Sequence, residues 1–155
     1  MNKEPIIFLD LDSVLTTPPN YRDFNPNCVN NLKFIIKETG AKIVVHSTWR
    51  KFETDRNRFL YLWGKHEFDI NDFRGWTPVE CKEYRNKVTG ELEQYTLNKK
   101  TSINNYVDKY KEYIENYVII DDEDYEFPPD KFVQPKGHIG LSFEDAKLAI
   151  SILNR

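Results

Sequence analysis

Cysteine, methionine and histidine are scarce, at two, one and three among 155 residues. Cys28 and Cys81 lie far apart with no C-x-x-C pair, which excludes a disulfide framework and a thiolate zinc site. His46, His66 and His138 are scattered without metal-ligand spacing. No apolar run approaches the ~18 residues that span a bilayer, and Met1 to Pro5 lead straight into a short strand, so the expectation is a soluble, cytoplasmic protein with no membrane partner. The net charge of −3 leaves nothing global to mark a nucleic-acid binder. The G-x-x-x-x-G-K-S/T loop of NTP-binding kinases is missing, as are internal repeats, linkers and low-complexity segments.

The residues that are present describe a globular chain, 39% hydrophobic and 30% charged, long enough to bury a core without staples. We expect a single domain over residues 1–155. Its organising stretch is Pro5-Ile6-Ile7-Phe8-Leu9-Asp10-Leu11-Asp12. Four apolar residues read as a buried strand, and the strand delivers two carboxylates at its carboxyl end, the side on which open α/β sheets bind ligands. Two such groups repel unless a cation or shared proton lies between them, which makes the pair a candidate Mg²⁺ site and nucleophile.

Further along, Asn25-Pro26 opens a helix through Val29, Leu32, Ile35 and Ile36 that Gly40 closes, and Lys42–His46 is a second strand. Strand, helix and strand with brief connections form a βαβ unit with parallel strands. The second strand therefore delivers Ser47-Thr48-Trp49-Arg50 to the same side. A helix is expected from Phe52 to Trp63, with Phe52, Phe59, Leu60, Leu62 and Trp63 as its apolar members and Gly64 ending it. Glu67–Ile70 is strand-like, Gly75 and Pro78 are breakers, and Val88–Glu91 can turn a hairpin between Tyr84–Lys87 and Leu92–Thr96. Thr101 or Ser102 can cap the next helix. Tyr117–Ile120 is a buried strand ending in Asp121-Asp122-Glu123-Asp124, a short strand surrounds Phe132, and Ser142 with Asp145 forms a capping box for a last helix in which Phe143, Ala146, Leu148, Ala149, Ile150 and Leu153 face the sheet.

Asp10-Leu11-Asp12, Ser47, Lys99 or Lys100, and Asp121-Asp122 occur in the order of the four motifs of the haloacid dehalogenase (HAD) superfamily, which the chain resembles over nearly its whole length. The Ser47-Thr48-Trp49-Arg50 and Asp121-Asp122-Glu123 runs resemble more narrowly the small HAD domains of RNA-repair proteins. The resemblance implies a HAD-like Rossmannoid α/β sandwich with a central parallel sheet and a minimal cap inserted after the second motif. It implies a Mg²⁺-dependent phosphatase in which Asp10 attacks phosphorus to form an aspartyl-phosphate and Asp12 shuttles the proton. Mg²⁺ would be held by Asp10, Asp12 and Asp122, with Asp121 beside them, and Asp124 and Glu126 as possible extras. Ser47 would bind a phosphoryl oxygen, Lys99 or Lys100 would offset charge, and Ser47, Thr48 and Arg50 would touch substrate. Ser13 departs from the family's usual Gly after the second Asp, which puts the loop geometry and the activity in question.

Too little chain separates Asp12 from Ser47 for a large cap, so the cap is expected as a small flap within about residues 65–98. An open site suits a nucleotide or polynucleotide end. Basic and aromatic residues such as Arg56, Arg58, Tyr61, Arg85, Lys87 and Tyr95 would suit phosphates and bases if they rim the acidic centre. An oligomer is not indicated. The alternative is a catalytically inactive phosphate-binding or signalling module on the same fold; the early D-x-D and late acidic pair argue against a receiver-type domain.

Overall fold

The computed structural model describes residues 2–79, 81–96 and 98–155, with backbone alone at 81–83 and 94–96. Strand β1 (Glu4–Leu9) lies at the sheet centre because Ile6 to Leu9 are apolar on both faces and all four are buried. It pairs in parallel with β2 (Lys42–Val45) and β6 (Ile114–Ile120). Leu9 stands opposite both Val45 and Ile120, so the three strands end at one level. Edge strands β3 (Phe73–Trp76) and β7 (Phe132–Val133) complete a five-stranded parallel sheet of order β3-β2-β1-β6-β7. The order reverses between β1 and β6, where an α/β sheet opens a crevice at its carboxyl edge.

Alternation along β1 builds two cores. Ile7 and Leu9 join the larger one, with α1 (Pro26–Thr39), α2 (Glu53–Lys65) and α4 (Phe143–Leu153). Ile6 and Phe8 face the smaller one, where Ile103 of α3 (Lys99–Tyr110) and Phe127 pack. A helix is ~10 Å across, whereas five strands at ~4.8 Å spacing extend about twice that far. One helix therefore leaves part of the second face open. Between β3 and α3 stands an antiparallel hairpin of β4 (Cys81–Arg85) and β5 (Leu92–Thr96), turned at Asn86–Gly90. Among the described residues no helix is long and apolar enough to cross a membrane.

Several boundaries differ from expectation. Helix α2 runs through Gly64 to Lys65, and the left-handed turn falls on Glu67 (φ 62°). It buries Phe59, Leu62 and Trp63, while Phe52 and Leu60 are exposed. Glu67–Ile70 is a turn leading into a short 3₁₀ segment; the strand is Phe73–Trp76, and Gly75 (φ 112°) belongs to it, at a register shift that skips Arg74. The hairpin begins at Cys81 and not at Tyr84. Asn98, not Thr101 or Ser102, caps α3 by accepting the Thr101 N–H at 2.9 Å. In α4 the Ser142–Asp145 box has both of its hydrogen bonds, but Phe143 and Leu148 are exposed.

The segment before α4 clamps the loop after β1. Leu141 N–H donates to Val14 O at 2.9 Å, and Gly140 sits at φ 73°. A Cβ on Gly140 would stand 2.7 Å from Cys28 Sγ and 2.8 Å from Val14 O. Gly140→Ala is therefore expected to cost at least about 2 kcal/mol, from left-handed strain plus displaced backbone. In a thermal melt this reads as a drop of roughly 4–8 °C.

Candidate active site

The parallel ladder runs one residue past each strand: Asp10 N–H donates to Ile120 O and His46 N–H to Leu9 O, both at 3.0 Å, and Asp121 N–H to Val133 O at 3.3 Å. Backbone hydrogen bonds thus fix three polar residues side by side at the crevice. Asp10, Asp121 and Asp122 each bring a carboxylate oxygen within 4.8 Å of the others, the cluster of possible metal ligands found among the described residues. Lys99, the first residue of α3, reaches between them, with Nζ 3.3 Å from Asp10 Oδ1 and 3.0 Å from Asp121 Oδ2.

The electrostatics are uneven across the cluster. Burial drives the Asp10 carboxyl well above the ordinary range, opposed by Lys99 and helped by Asp121 and by a hydrogen bond shared with Asp122. Burial also raises Asp122. At Asp121 burial is outweighed by the His46 hydrogen bond, the Lys99 charge and the Glu123 N–H, which hold its carboxyl down at about 2. Lys99 is raised because Asp10 and Asp121 outweigh its own burial. His46 is fully buried, which lowers it to about 4. It is therefore neutral at pH 7, and Nε2–H donates to Asp121 Oδ2 at 2.9 Å while Nδ1 has no partner. Three carboxylates against one ammonium leave a deficit of positive charge, and the donors are all oxygen, so the cluster suits a hard divalent cation such as Mg²⁺. Asp121 already accepts on both oxygens from His46, Lys99 and Glu123, which leaves Asp10 and Asp122 facing the opening.

Asp12 lies outside that cluster. Its carboxylate accepts from Trp49 Nε1–H at 3.0 Å and from the Thr16 hydroxyl at 3.2 Å. The Arg58 guanidinium stacks 4.0 Å from the Trp49 ring. Ser13 adopts φ 65°, so it takes the left-handed conformation that a Gly at this position would supply. Together Asp10, Asp12, Ser13, Thr48, Lys99 and Asp122 line a cleft of about 210 Å³, with Glu123 and Tyr125 also in its wall.

Ser47 is buried at the end of β2 and its hydroxyl accepts the Trp49 N–H at 3.2 Å; its hydrogen has no acceptor among the described residues. Lys100 stands one residue into α3 and makes none of the contacts of Lys99. Arg50, expected at the substrate, is instead turned inward: Nη1 donates to the carbonyls of His46 and Ser47 at 2.8 and 2.9 Å, acceptors that lie beyond the end of β2. Asp124 accepts from the Glu126 and Phe127 N–H groups, and neither Asp124 nor Glu126 joins the cluster. Of the basic and aromatic residues expected around the centre, Arg56 binds Arg50 O and Arg85 binds Gly90 O within the hairpin; Arg56, Arg58, Tyr61, Arg85 and Lys87 do not line the cleft, and the side chain of Tyr95 lies outside the described residues. His46 is the residue that sequence reasoning passed over. Its only signal was a polar side chain at the end of an otherwise apolar strand.

Parallel strands that bring a D-x-D pair, a serine and an acidic pair to the switch point, with a helix-borne lysine between the acids, define a Rossmannoid α/β domain of the HAD type. The family model described as the HAD domain in Swiss Army Knife RNA repair proteins matches residues 6–146, and the chain belongs to that family. No curated protein and no solved structure matches it. Membership points to phosphohydrolase-type chemistry.

A histidine that protonates near 4 in the fold but near 6.5 when unfolded leaves the unfolded chain holding more protons between those values. Stability contributed by His46 therefore falls as pH drops through that window, by about 2 kcal/mol between pH 7 and 5. Asp10, raised in the fold, acts with the opposite sign. His46→Asn keeps a donor but removes the titration. Urea unfolding of both forms at the two pH values is expected to show the wild type losing about 2 kcal/mol more than the variant; equal losses would place a proton on buried His46.

Proposed function

We propose that the domain is a Mg²⁺-dependent phosphomonoesterase working through an aspartyl-phosphate on Asp10. The observation that carries this reading is the juxtaposition of Asp10 and Asp122, both raised by burial, with Lys99 bridging Asp10 to Asp121 at the mouth of a cleft. Asp10 and Asp122 would hold Mg²⁺, with the Asp12 segment beside them and Asp121 supporting through Lys99 and His46. When bound, the ion offsets the repulsion between an anionic nucleophile and an anionic phosphate.

In the first step an Asp10 carboxylate oxygen forms a bond to phosphorus as the bond to the leaving oxygen breaks, and Asp12 gives that oxygen its proton. Water then attacks the aspartyl-phosphate, Asp12 takes the proton back, and phosphate leaves with Asp10 regenerated. Trp49 and Thr16 orient Asp12 for both transfers. The Ser47 hydroxyl has a hydrogen to give a phosphoryl oxygen, and Lys99 stabilises the charge that builds on the phosphoryl group. Ser13 in the left-handed conformation favours a working site over the inactive-module alternative.

Residues 1–155 act as one domain with the β4–β5 hairpin as a small cap. The substrate is a phosphorylated polynucleotide end or a nucleotide. That choice rests on the RNA-repair description of the family and on a cleft with no large cap, and it suits a cytoplasmic setting. Hydrolysis measured on a panel of sugar phosphates, nucleotides and 3′- or 5′-phosphorylated oligonucleotides is expected to require Mg²⁺, to favour the nucleotides and oligonucleotides, and to fall at least about a thousandfold in Asp10→Asn. Turnover that survives the substitution or chelation overturns the mechanism; preference for sugar phosphates overturns the substrate.

A further inference from the structure

Among the described residues α3 is the one helix on the second face of the sheet, which it shares with Phe127 and Tyr125, and beside it the edge strand β3 leaves a groove. Two adjoining hollows of about 340 and 210 Å³ share Tyr106 and Tyr110. The first is bordered by Trp76 and Lys109, the second by Arg74 and Tyr113. Four aromatic rings, those of Trp76, Tyr106, Tyr110 and Tyr113, stand in walls that aliphatic and polar side chains complete. Tyr106 is anchored edge-on against buried Phe8 at 5.5 Å, and Tyr110 lies against Tyr106 at 4.6 Å. Trp76, at the sheet edge, packs toward the larger core on the other face, against Phe59 at 5.1 Å and Phe73 at 5.4 Å. These rings are held by the core, yet each stays partly open to solvent.

We propose that this groove carries the single-stranded RNA whose phosphorylated end enters the Asp10 cleft. The inference rests on the substrate reading above and extends it to the nucleotides behind the reacting end. Position supports it. Tyr106 and Tyr110 lie about 10 and 16 Å along α3 from Lys99, the span of roughly three to five stacked nucleotides. Trp76 ends β3 level with Val45, directly before His46 and Ser47. Chemistry supports it too. Base stacking on rings tolerates any sequence and needs little net charge, which fits a protein of net charge −3. Arg74 is engaged by Glu4 at 2.7 Å. Lys109 sits 5.3 Å from the Tyr110 ring, makes no ion pair among the described residues and is exposed, placed to meet a phosphate.

The test is fluorescence anisotropy of a short dye-labelled single-stranded RNA bearing a terminal phosphate, with thermal melts to verify folding. Tyr110→Ala is expected to weaken binding about tenfold, Tyr110→Phe to stay within about twofold, and Lys109→Ala to reduce the salt dependence by about one phosphate contact. Hydrolysis of a nucleoside monophosphate is expected to be unchanged in all three. Should Tyr110→Ala not fold, Lys109→Ala alone decides. Binding that no variant alters, or no binding by the wild type, overturns the RNA path and leaves the groove to a protein segment. Groove-dependent binding without any hydrolysis upholds the path and overturns the phosphatase. Hydrolysis with groove-independent binding does the reverse.

Discussion

The Lys99 ammonium between Asp10 and Asp121 is the contact on which the rest of the site depends. Three carboxylates gathered at the end of a buried sheet are costly to hold ionised, and one fixed cation with a divalent ion is the economical answer. Lys99 is placed there because Asn98 caps α3 and because the hairpin returns the chain to the crevice just before it. Asp10 and Asp121 are placed by backbone hydrogen bonds one residue beyond their strands. A helix start and two strand ends thus converge on one point without any of the three residues choosing its position through its own side chain.

Around that point, buried groups with fixed roles free others to react. Neutral His46 and Lys99 hold Asp121 ionised, so that Asp10 and Asp122 are left with raised carboxyls toward the opening. Arg50 satisfies the carbonyls that β2 leaves behind, which keeps the Ser47 turn in place. Trp49 serves twice, as buried packing and as a donor to Asp12. Arg50, which in sequence reads as substrate-facing charge, is therefore internal support.

The central strands and the motif order were legible because a buried parallel strand must be apolar on both faces, and a polar residue after it stands out. Ile6–Leu9, Ile43–Val45 and Val118–Ile120 all meet that condition. The edge strand β3 did not: Phe73-Arg74-Gly75-Trp76 has a charge and a glycine, both permitted by an exposed edge and a register shift. Spacing to Ile103 favours Lys99 only slightly over Lys100 in sequence, since one residue of helix rotation decides which reaches the acids. The His46–Asp121 bond joins residues 75 apart, and no local pattern announces such a pair. The inward hydrogen bonds of Arg50 are equally silent, because its partners are backbone atoms that have no sequence signature.

The account stands or falls on a covalent bond to Asp10. Acid-quenching the enzyme during turnover of a phosphorylated oligonucleotide, then weighing the intact protein, tests it directly. A population heavier by one phosphoryl group in the wild type, mapped to the Asp10 peptide and missing from Asp10→Asn, is the predicted result. Turnover at a comparable rate with no such species under fast quenching, or a phosphoryl group mapped to another residue, would contradict it.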